Sequence, residues 1–460
     1  MKPLLGRLEL LAWPVLLAPL GALAILLADR TNPIAPLAVV GGVGLLALAW
    51  ARPLLALLVG IGLVPLEVFS IPLGAIALSP AELVFVLTGV VWGARQLVEG
   101  RRPWAASPLS VPLLAVWATS IPGILAARDP GGVVRFVVIW GAFLLVFLLI
   151  VCEADARWVR TLLFTLAIVG AIVGALAVVT SAGQQEISST GDVATGRAQG
   201  AFGSPNLLAS LLALTLPAAI LAAFRARPAR RLLAAGAAGA VFAGLALSLS
   251  RGGLLAAAGA ILVMLGWTPV RRVAIGAIAV LVLITALNAN PFADVQEVQV
   301  VRERVESVRF QSASRVDQRA RIYSETPKMI ADHWLTGVGA NNYPEFAPQY
   351  GIVEPISNDT FAHAHNIALT FAAEFGLPGL LALGWLVVAM LRAAPRLLGR
   401  HAADRGAGFA VTAAFVGFFL QGLVDFTLHS NVIAAMVFVL LGAFGVLALN
   451  ARPRTADTEA

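Results

Sequence analysis

The sequence predicts an all-α, polytopic transmembrane helix bundle of about 12–14 spans, with one large external loop that contains short helices. Three observations carry that class. Of 460 residues, 59% are apolar and only 12% are charged, roughly half the charged share of soluble chains. The mean hydropathy is +0.88. Apolar residues in that number supply roughly thirteen stretches of about 20 residues, the length that crosses a bilayer as a helix. A soluble Rossmann or barrel enzyme must cover its surface with charge that this chain lacks. The single cysteine, Cys152, can form no internal disulfide, which excludes a secreted disulfide scaffold; beside Glu153 and Asp155 it reads as a packed or lipid-facing thiol. A net charge of +7 and a pI near 10.6 often point to nucleic acid. Here the basic residues sit in short clusters between apolar runs, the pattern of topology signals.

The apolar runs, in order, are Leu10–Ala28, Ile34–Trp50, Leu54–Phe69, Ala81–Val98, Leu109–Ala126, Gly132–Val151, Trp158–Thr180, Asn206–Phe224, Leu232–Leu249, Gly252–Trp267, Val273–Asn290, Asn366–Leu391, Gly408–Phe426 and Asn431–Leu449. The second and third are short and broken by proline, and the hairpin from Leu232 to Trp267 holds Arg251 in its turn, so twelve is the lower count. The first run follows a basic start like a signal peptide, but no small-x-small site with a polar segment after it appears, and it reads as a span.

Sidedness follows from the basic residues. With Lys2 and Arg7 in the cytoplasm, alternation over fourteen spans puts 20 of the 32 Lys and Arg on that side, including Arg101, Arg102, Arg230, Arg231, Arg392 and Arg396. The short outer loops hold only Arg30, Arg128, Arg135, Arg197 and Arg251. The organisation is therefore transmembrane helices over 1–290, an external loop over 291–365, C-terminal transmembrane helices over 366–449 and a disordered cytoplasmic tail over 450–460. Both termini are cytoplasmic.

The external loop is too long to be structureless, and a folded functional element is expected there. Val295, Val298, Val301, Val305 and Val308 recur at helical steps among charges, which predicts an amphipathic helix on the membrane surface. A second helix is expected to begin at Thr326-Pro327 and to end near His333, before Gly337-Val338-Gly339.

Chemistry gathers at three outer positions. Arg197 precedes Ser204-Pro205-Asn206, a cap and first turn for the following span, where helix N–H groups can hold an anion. Ser248-Leu249-Ser250-Arg251 is the tight turn between two spans. His363-Ala364-His365-Asn366 opens the span after the loop. Each also has a plainer reading: Arg197 as a solvated loop cation, Arg251 paired with lipid phosphate, His363 simply solvated. Ionisable groups near membrane depth tend to be functional, and their sharing one side raises them together. Asp425 and His429 stand four apart near the outer end of the penultimate span, the spacing of a hydrogen-bonded pair on one helix face; a structural role is the preferred reading, with Gln421 extending the polar stripe.

The stretches Arg197-x-x-Gly200-x-Phe202-x-x-Pro205-Asn206, Ser250-Arg251-Gly252, Arg319-x-x-x-Tyr323 running into Asp332-His333-Trp334-Leu335-Thr336-Gly337-Val338-Gly339, and His365-Asn366-x-x-Leu369 followed by Glu374-Phe375-Gly376-Leu377-Pro378-Gly379 together resemble the O-antigen ligase superfamily. That group takes in O-antigen ligases, O-antigen polymerases and protein O-oligosaccharyltransferases. Tyr323 stands where that family more often has Trp, and fourteen spans exceed its usual dozen. The resemblance implies a glycosyltransferase of the bacterial cytoplasmic (inner) membrane. It moves a glycan from a polyprenyl pyrophosphate carrier to an acceptor hydroxyl on a glycan, lipid or protein, on the outer face, with no cofactor and no metal.

On that reading His365 is the general base, since imidazole titrates near neutral pH. Arg197, Arg251 and Arg319 or Arg321 hold the departing pyrophosphate with forked donors, and Asn206, Asn366 and His363 support them. No acidic cluster with metal-site spacing appears in the outer loops. An O-antigen or exopolysaccharide polymerase of the same superfamily is the close alternative. A transporter of lipid-linked sugars is the more distant one, because its polar groups should lie near the midplane and these gather at the outer surface. The topology has a direct consequence: a reporter fused after Ala460 should be active only in the cytoplasm, and activity only outside it overturns the assigned sides.

Overall fold

In hydrocarbon every backbone N–H and C=O needs a partner within the protein, so long apolar runs must fold as helices. The computed structural model describes residues 34–73, 76–181, 185–187, 193–195, 197–276, 312–353, 363–399, 402 and 404–450, and over them the chain is an all-α polytopic bundle. The helices are α1 (Ile34–Ala51), α2 (Pro53–Gly62), α3 (Pro80–Val98), α4 (Ser110–Ala118), α5 (Pro130–Glu153), α6 (Ala156–Ser181), α7 (Pro205–Arg225), α8 (Pro228–Leu247) and α9 (Arg251–Leu265). They continue with α10 (Thr268–Gly276), α11 (Ser312–Asp332), α12 (Tyr343–Phe346), α13 (Ile367–Leu398), α14 (Arg405–Gly422) and α15 (Asn431–Asn450). The strands among the described residues form two small antiparallel hairpins, Ile71–Leu73 with Ile76–Leu78 and Gln185–Ile187 with Val193–Thr195.

Seven of these helices, α3, α5, α6, α7, α8, α13 and α15, are long and apolar enough to cross a membrane. The pair α9 and α10, bent by 109°, makes an eighth if counted as one broken span. Proline occupies the first turn of α2, α3, α5, α7 and α8, where its missing N–H goes unused in any helix. At α3 a capping box adds to this: Ser79 Oγ accepts from the Glu82 N–H at 3.3 Å, and Glu82 accepts from the Ser79 N–H at 2.8 Å. Buried side chains of α5, α6, α7, α14 and α15 join one continuous core. At the ends where α7 finishes and α14 begins, Arg225 grips both oxygens of Asp404 and Arg160 reaches one of them at 3.5 Å.

The described part of the long loop before α13 has its own small core of Ile322, Met329, Val338, Tyr343, Phe346 and Ile352, closed by Ala364 and by Ala373 of α13. Two devices seat it on the bundle. At the start of α5, the Asp129 N–H donates to Asn342 Oδ1 at 2.7 Å, and Asn342 Nδ2 returns a bond to the Asp129 carbonyl at 3.0 Å. Arg128 donates to the Glu345 carbonyl at 2.7 Å and lies 4.5 Å above the Phe346 ring. The second device is at Gly376, where α13 breaks with φ 69° and ψ −174°. The break leaves carbonyls of the preceding turn without helical donors, and the loop supplies them. Val338 N–H donates to the Ala373 carbonyl at 2.8 Å and Gly339 N–H to the Glu374 carbonyl at 3.0 Å, while Leu377 N–H donates to the Trp334 carbonyl at 2.7 Å. The Gly337-Val338-Gly339 and Glu374-Phe375-Gly376 stretches are thus two halves of one backbone staple.

Several expected elements differ. The third run is a ten-residue helix, because Gly62 and Pro65 stop it, and a 3-10 turn over Val64–Leu66 follows. The fifth run breaks after Ala118, before Pro122, and resumes only as a 3-10 turn. No helix starts at Thr326-Pro327: α11 runs from Ser312 through Pro327 to Asp332, and Thr326 is buried, sharing a 2.7 Å hydrogen bond with the Tyr343 hydroxyl. Its end before His333 is as expected. The first apolar run, most of Val273–Asn290, the valine-patterned helix and the tail lie outside the described residues.

The staple is testable at Gly376. A Cβ there meets the Leu335 carbonyl at 2.7 Å, and an L residue held in that backbone region is strained by about 1–3 kcal/mol. Gly376→Ala should therefore loosen residues 334–353, read as faster proteolysis of that segment in membranes. Unchanged protection would show that the staple does not hold the loop.

Candidate active site

Helix alternation brings the starts of α7, α9 and α13 and the end of α14 to one end of the bundle, and the polar residues meet there. Asn366 caps α13, its Oδ1 accepting from the N–H groups of Ala368 at 2.9 Å and Leu369 at 3.0 Å. Asn366 Nδ2 donates to the Leu423 carbonyl at 2.9 Å, which ties the start of α13 to the turn after α14. One residue before the cap, His365 takes φ 51°, a left-handed conformation that a non-glycine residue adopts only under constraint. The Tyr323 hydroxyl donates to the His365 carbonyl at 3.2 Å.

His365 Nδ1 lies 2.9 Å from Asp425 Oδ1. An ionised carboxylate only accepts, so the proton in that bond belongs to the imidazole, and in the neutral ring Nε2 carries the lone pair. Burial pushes the Asp425 carboxyl up. The hydrogen bond from His365 and the charges of His365 and His363 outweigh burial and hold it below the usual carboxylate range. His363 is placed differently. Its Nδ1 accepts from the His365 backbone N–H at 3.2 Å, so in the neutral ring its proton is on Nε2. Burial, and then the neighbouring His365 and His429, hold its pKa well below 6.5. His429 stacks on His363 with centroids 4.8 Å apart, and burial lowers its pKa too.

The expected Asp425–His429 pair does not form. Helix α14 ends at Gly422, so the two residues lie on a turn rather than four apart on a helix. Asp425 goes to His365, and His429 Nδ1 is 2.7 Å from the Phe426 carbonyl. Asp425 as the partner of His365, 60 residues away in sequence, is the site contact that the sequence pattern missed, having paired Asp425 with His429. A buried acid at the mouth of an apolar span was the available signal.

Arg197 donates from Nε to the Ser248 carbonyl at 3.0 Å and from its guanidinium to Asn206 Oδ1 at 3.1 Å. Ser204 is the N-cap of α7 by position, without a side-chain cap bond. Gln421 Nε2 donates to the Asn206 carbonyl at 3.3 Å, and the Asp425 N–H donates to the Gln421 carbonyl at 2.9 Å. A Cβ on Gly252 would lie 3.1–3.2 Å from Val424 and Gln421. The 421–425 turn thus joins the Arg197–Asn206 pair, the start of α9 and the His365–Asp425 pair. Arg251 is the exposed first residue of α9; Leu249, with φ 50°, makes the sharp turn before it.

Arg319 and Arg321 separate. Arg319 is close enough for its charge to act on Tyr323 and His363, whereas the Arg321 guanidinium lies against Gly351, 3.3 Å from where a Cβ would stand. Arg319 is on the histidine side and Arg321 is not. For a metal, His363, His365 and Asp425 present ligand atoms within 4.8 Å of one another. An ion bound through Nδ1 of either ring would displace the hydrogen bond that atom already makes, so a metal here would need the Nε2 atoms.

Residues 236–384 match the family whose model is described as O-antigen ligase. That stretch of the chain is O-antigen ligase-like. No curated protein matches the sequence. Arg251, Arg319, Arg321, His363, His365 and Asn366 lie within the matched segment. Arg197, Asn206, Gln421 and Asp425 complete the site from outside the matched range. The match and the apolar helices together support a multi-pass membrane enzyme of the ligase or polymerase kind.

The pH dependence of stability has a defined sign. His363 and His429 are held neutral in the fold, while in the unfolded chain they take a proton near pH 6.5. Stability is fully present above about 6.5 and declines as pH falls toward the folded values. Thermal midpoints measured between pH 7 and pH 5 should fall, and His363→Asn, which keeps an acceptor for the His365 N–H, should flatten the slope. An unchanged slope in that variant rules out His363 as a source.

Proposed function

We propose that the chain transfers a glycan from a polyprenyl pyrophosphate carrier to an acceptor hydroxyl at the outer face of the membrane, with His365 as general base and no metal. The observation that supports this is the Asp425–His365 hydrogen bond, which keeps the proton of the neutral ring on Nδ1 and so puts the basic lone pair on Nε2. In the transfer, Nε2 takes the acceptor hydroxyl proton as that oxygen bonds to the anomeric carbon. The bond from that carbon to the pyrophosphate oxygen breaks, and the polyprenyl pyrophosphate leaves with the electron pair. Asp425 is a positioning residue: it fixes the tautomer and stabilises the imidazolium that forms, as the carboxylate does in serine hydrolase triads.

The departing pyrophosphate needs cations and oriented N–H groups. Arg251 and Arg319 have guanidinium groups with no ion pair among the described residues, and Arg251 opens the first turn of α9, where unpaired helix N–H groups gather. Arg197 is held beside the start of α7 by Ser248 and Asn206, which fixes its positive charge at that helix end. Arg321 is less suited, because it lies against Gly351. Ligase and polymerase share this chemistry and differ in the acceptor.

The test is transfer by the purified chain reconstituted with a polyprenyl-pyrophosphate-linked glycan, with donor binding measured separately. His365→Ala should lower the rate about 10²–10⁴-fold and leave donor binding intact, since charge on the donor is handled by arginines. His363→Ala should cost much less, because its available nitrogen carries a proton. If both variants are active, the histidine-base reading fails. If only His363→Ala is dead, the base lies two residues away.

A further inference from the structure

At the end of α13 remote from His365, a cavity of about 210 Å³ is lined by Pro108, Trp385, Ala389, Arg392, Ala393 and Arg396. Arg392 and Arg396 are one helical turn apart, so their side chains stand side by side. Both are exposed, and neither has an ion-pair or hydrogen-bond partner among the described residues. The rest of the lining is apolar or aromatic, with Trp385 48% exposed. Two forked cations over an apolar floor are the complement of a phosphodiester with an acyl chain attached.

The position along the helix agrees with that chemistry. Arg392 is 16 residues beyond the break at Gly376, a rise of roughly 24 Å along that part of α13, most of a hydrocarbon core of about 30 Å. Trp385, two turns earlier, then falls at the edge of the hydrocarbon, where indole rings prefer to sit. The arginines stand at the end of α13 away from the histidines, where basic side chains flanking an apolar span meet lipid phosphate. Two unpaired cations favour a lipid with net negative charge over a zwitterionic one. Arg pairs with phosphate oxygens through two parallel N–H bonds, a geometry that a scattered surface charge lacks.

We propose that this cavity binds one phosphatidylglycerol molecule, with its phosphodiester shared by Arg392 and Arg396 and an acyl chain laid against Trp385 and Ala389. The site is independent of the transfer reaction and stands or falls separately from it.

Native mass spectrometry of the full chain, released from nanodiscs of phosphatidylglycerol mixed with phosphatidylethanolamine, tests it. The wild type should retain one phosphatidylglycerol through delipidation and no comparable phosphatidylethanolamine. Each arginine near an anionic lipid contributes on a scale that makes the joint loss about 30-fold in affinity, so Arg392→Gln with Arg396→Gln should lose the bound lipid. Arg230→Gln with Arg231→Gln removes the same charge at the start of α8, at the same end of the bundle, and should keep it. Ala389→Leu fills the cavity while keeping both charges and should also lose the lipid, which covers the case where the double arginine variant misfolds. Equal loss in both arginine pairs would mean general surface charge and overturns the site. Retention by Ala389→Leu, or a wild type that holds both lipids alike, overturns it as well.

Discussion

A helix broken inside a membrane protein exposes backbone carbonyls that water cannot reach, and everything at this site depends on how that debt at Gly376 is met. The Trp334–Gly339 segment meets it with three backbone hydrogen bonds, so an otherwise polar loop becomes an inserted part of the bundle. Val338 then anchors the loop's small core, and α11 is held with Tyr323 over the His365 carbonyl. The left-handed backbone of His365 persists because it is bounded on both sides, by Tyr323 from above and by the Asn366 cap below. Without the staple none of these contacts has a fixed partner.

On the proposed function, the two chemical tasks of the site fall to different residues. Positive charge comes from arginines on three separate segments, near Arg197, Arg251 and Arg319, each beside a helix start or on the loop helix. Proton handling comes from a compact group, His365 with Asp425, backed by the neutral rings of His363 and His429. The separation has a physical basis. Cations near a base lower its affinity for protons, and a carboxylate in direct contact with the ring offsets that. Asp425 belongs to the C-terminal helices and His365 to the end of the loop, so the base is complete only when these two parts of the chain have packed together.

Much of this was legible from residue pattern. Apolar run lengths and the basic clusters place Arg197, Arg251 and His365 at one end, and the structure brings them round a single turn at 421–425. What was not legible came from tertiary override of local signals. Thr326-Pro327 has the look of a helix start, yet burial of Thr326 against Tyr343 carries the helix straight through the proline, although a proline there removes one helical bond. Asp425 and His429 have helical spacing, but α14 stops at Gly422 and frees Asp425 to reach across to His365. The short runs at Leu54–Phe69 and Leu109–Ala126 are apolar enough to span and fail to, because Pro65 and Pro122 break them. Local composition reports the solvent a segment prefers; it does not report which distant partner will end or extend it.

The burial of α15 bears on how the protein is made. This helix has 94% of its apolar window enclosed by the rest of the chain, and it is the last of the described helices to leave the ribosome. Its neighbours must therefore wait in the bilayer with a vacant channel between α5 and α14, solvated meanwhile by lipid tails. Among the described helices, the core around α15 is complete only once this helix has packed against α5 and its neighbours. A chain truncated before Asn431 would insert normally and yet never compact, and quality-control proteases that sense loosely associated spans would meet it as an unfinished product.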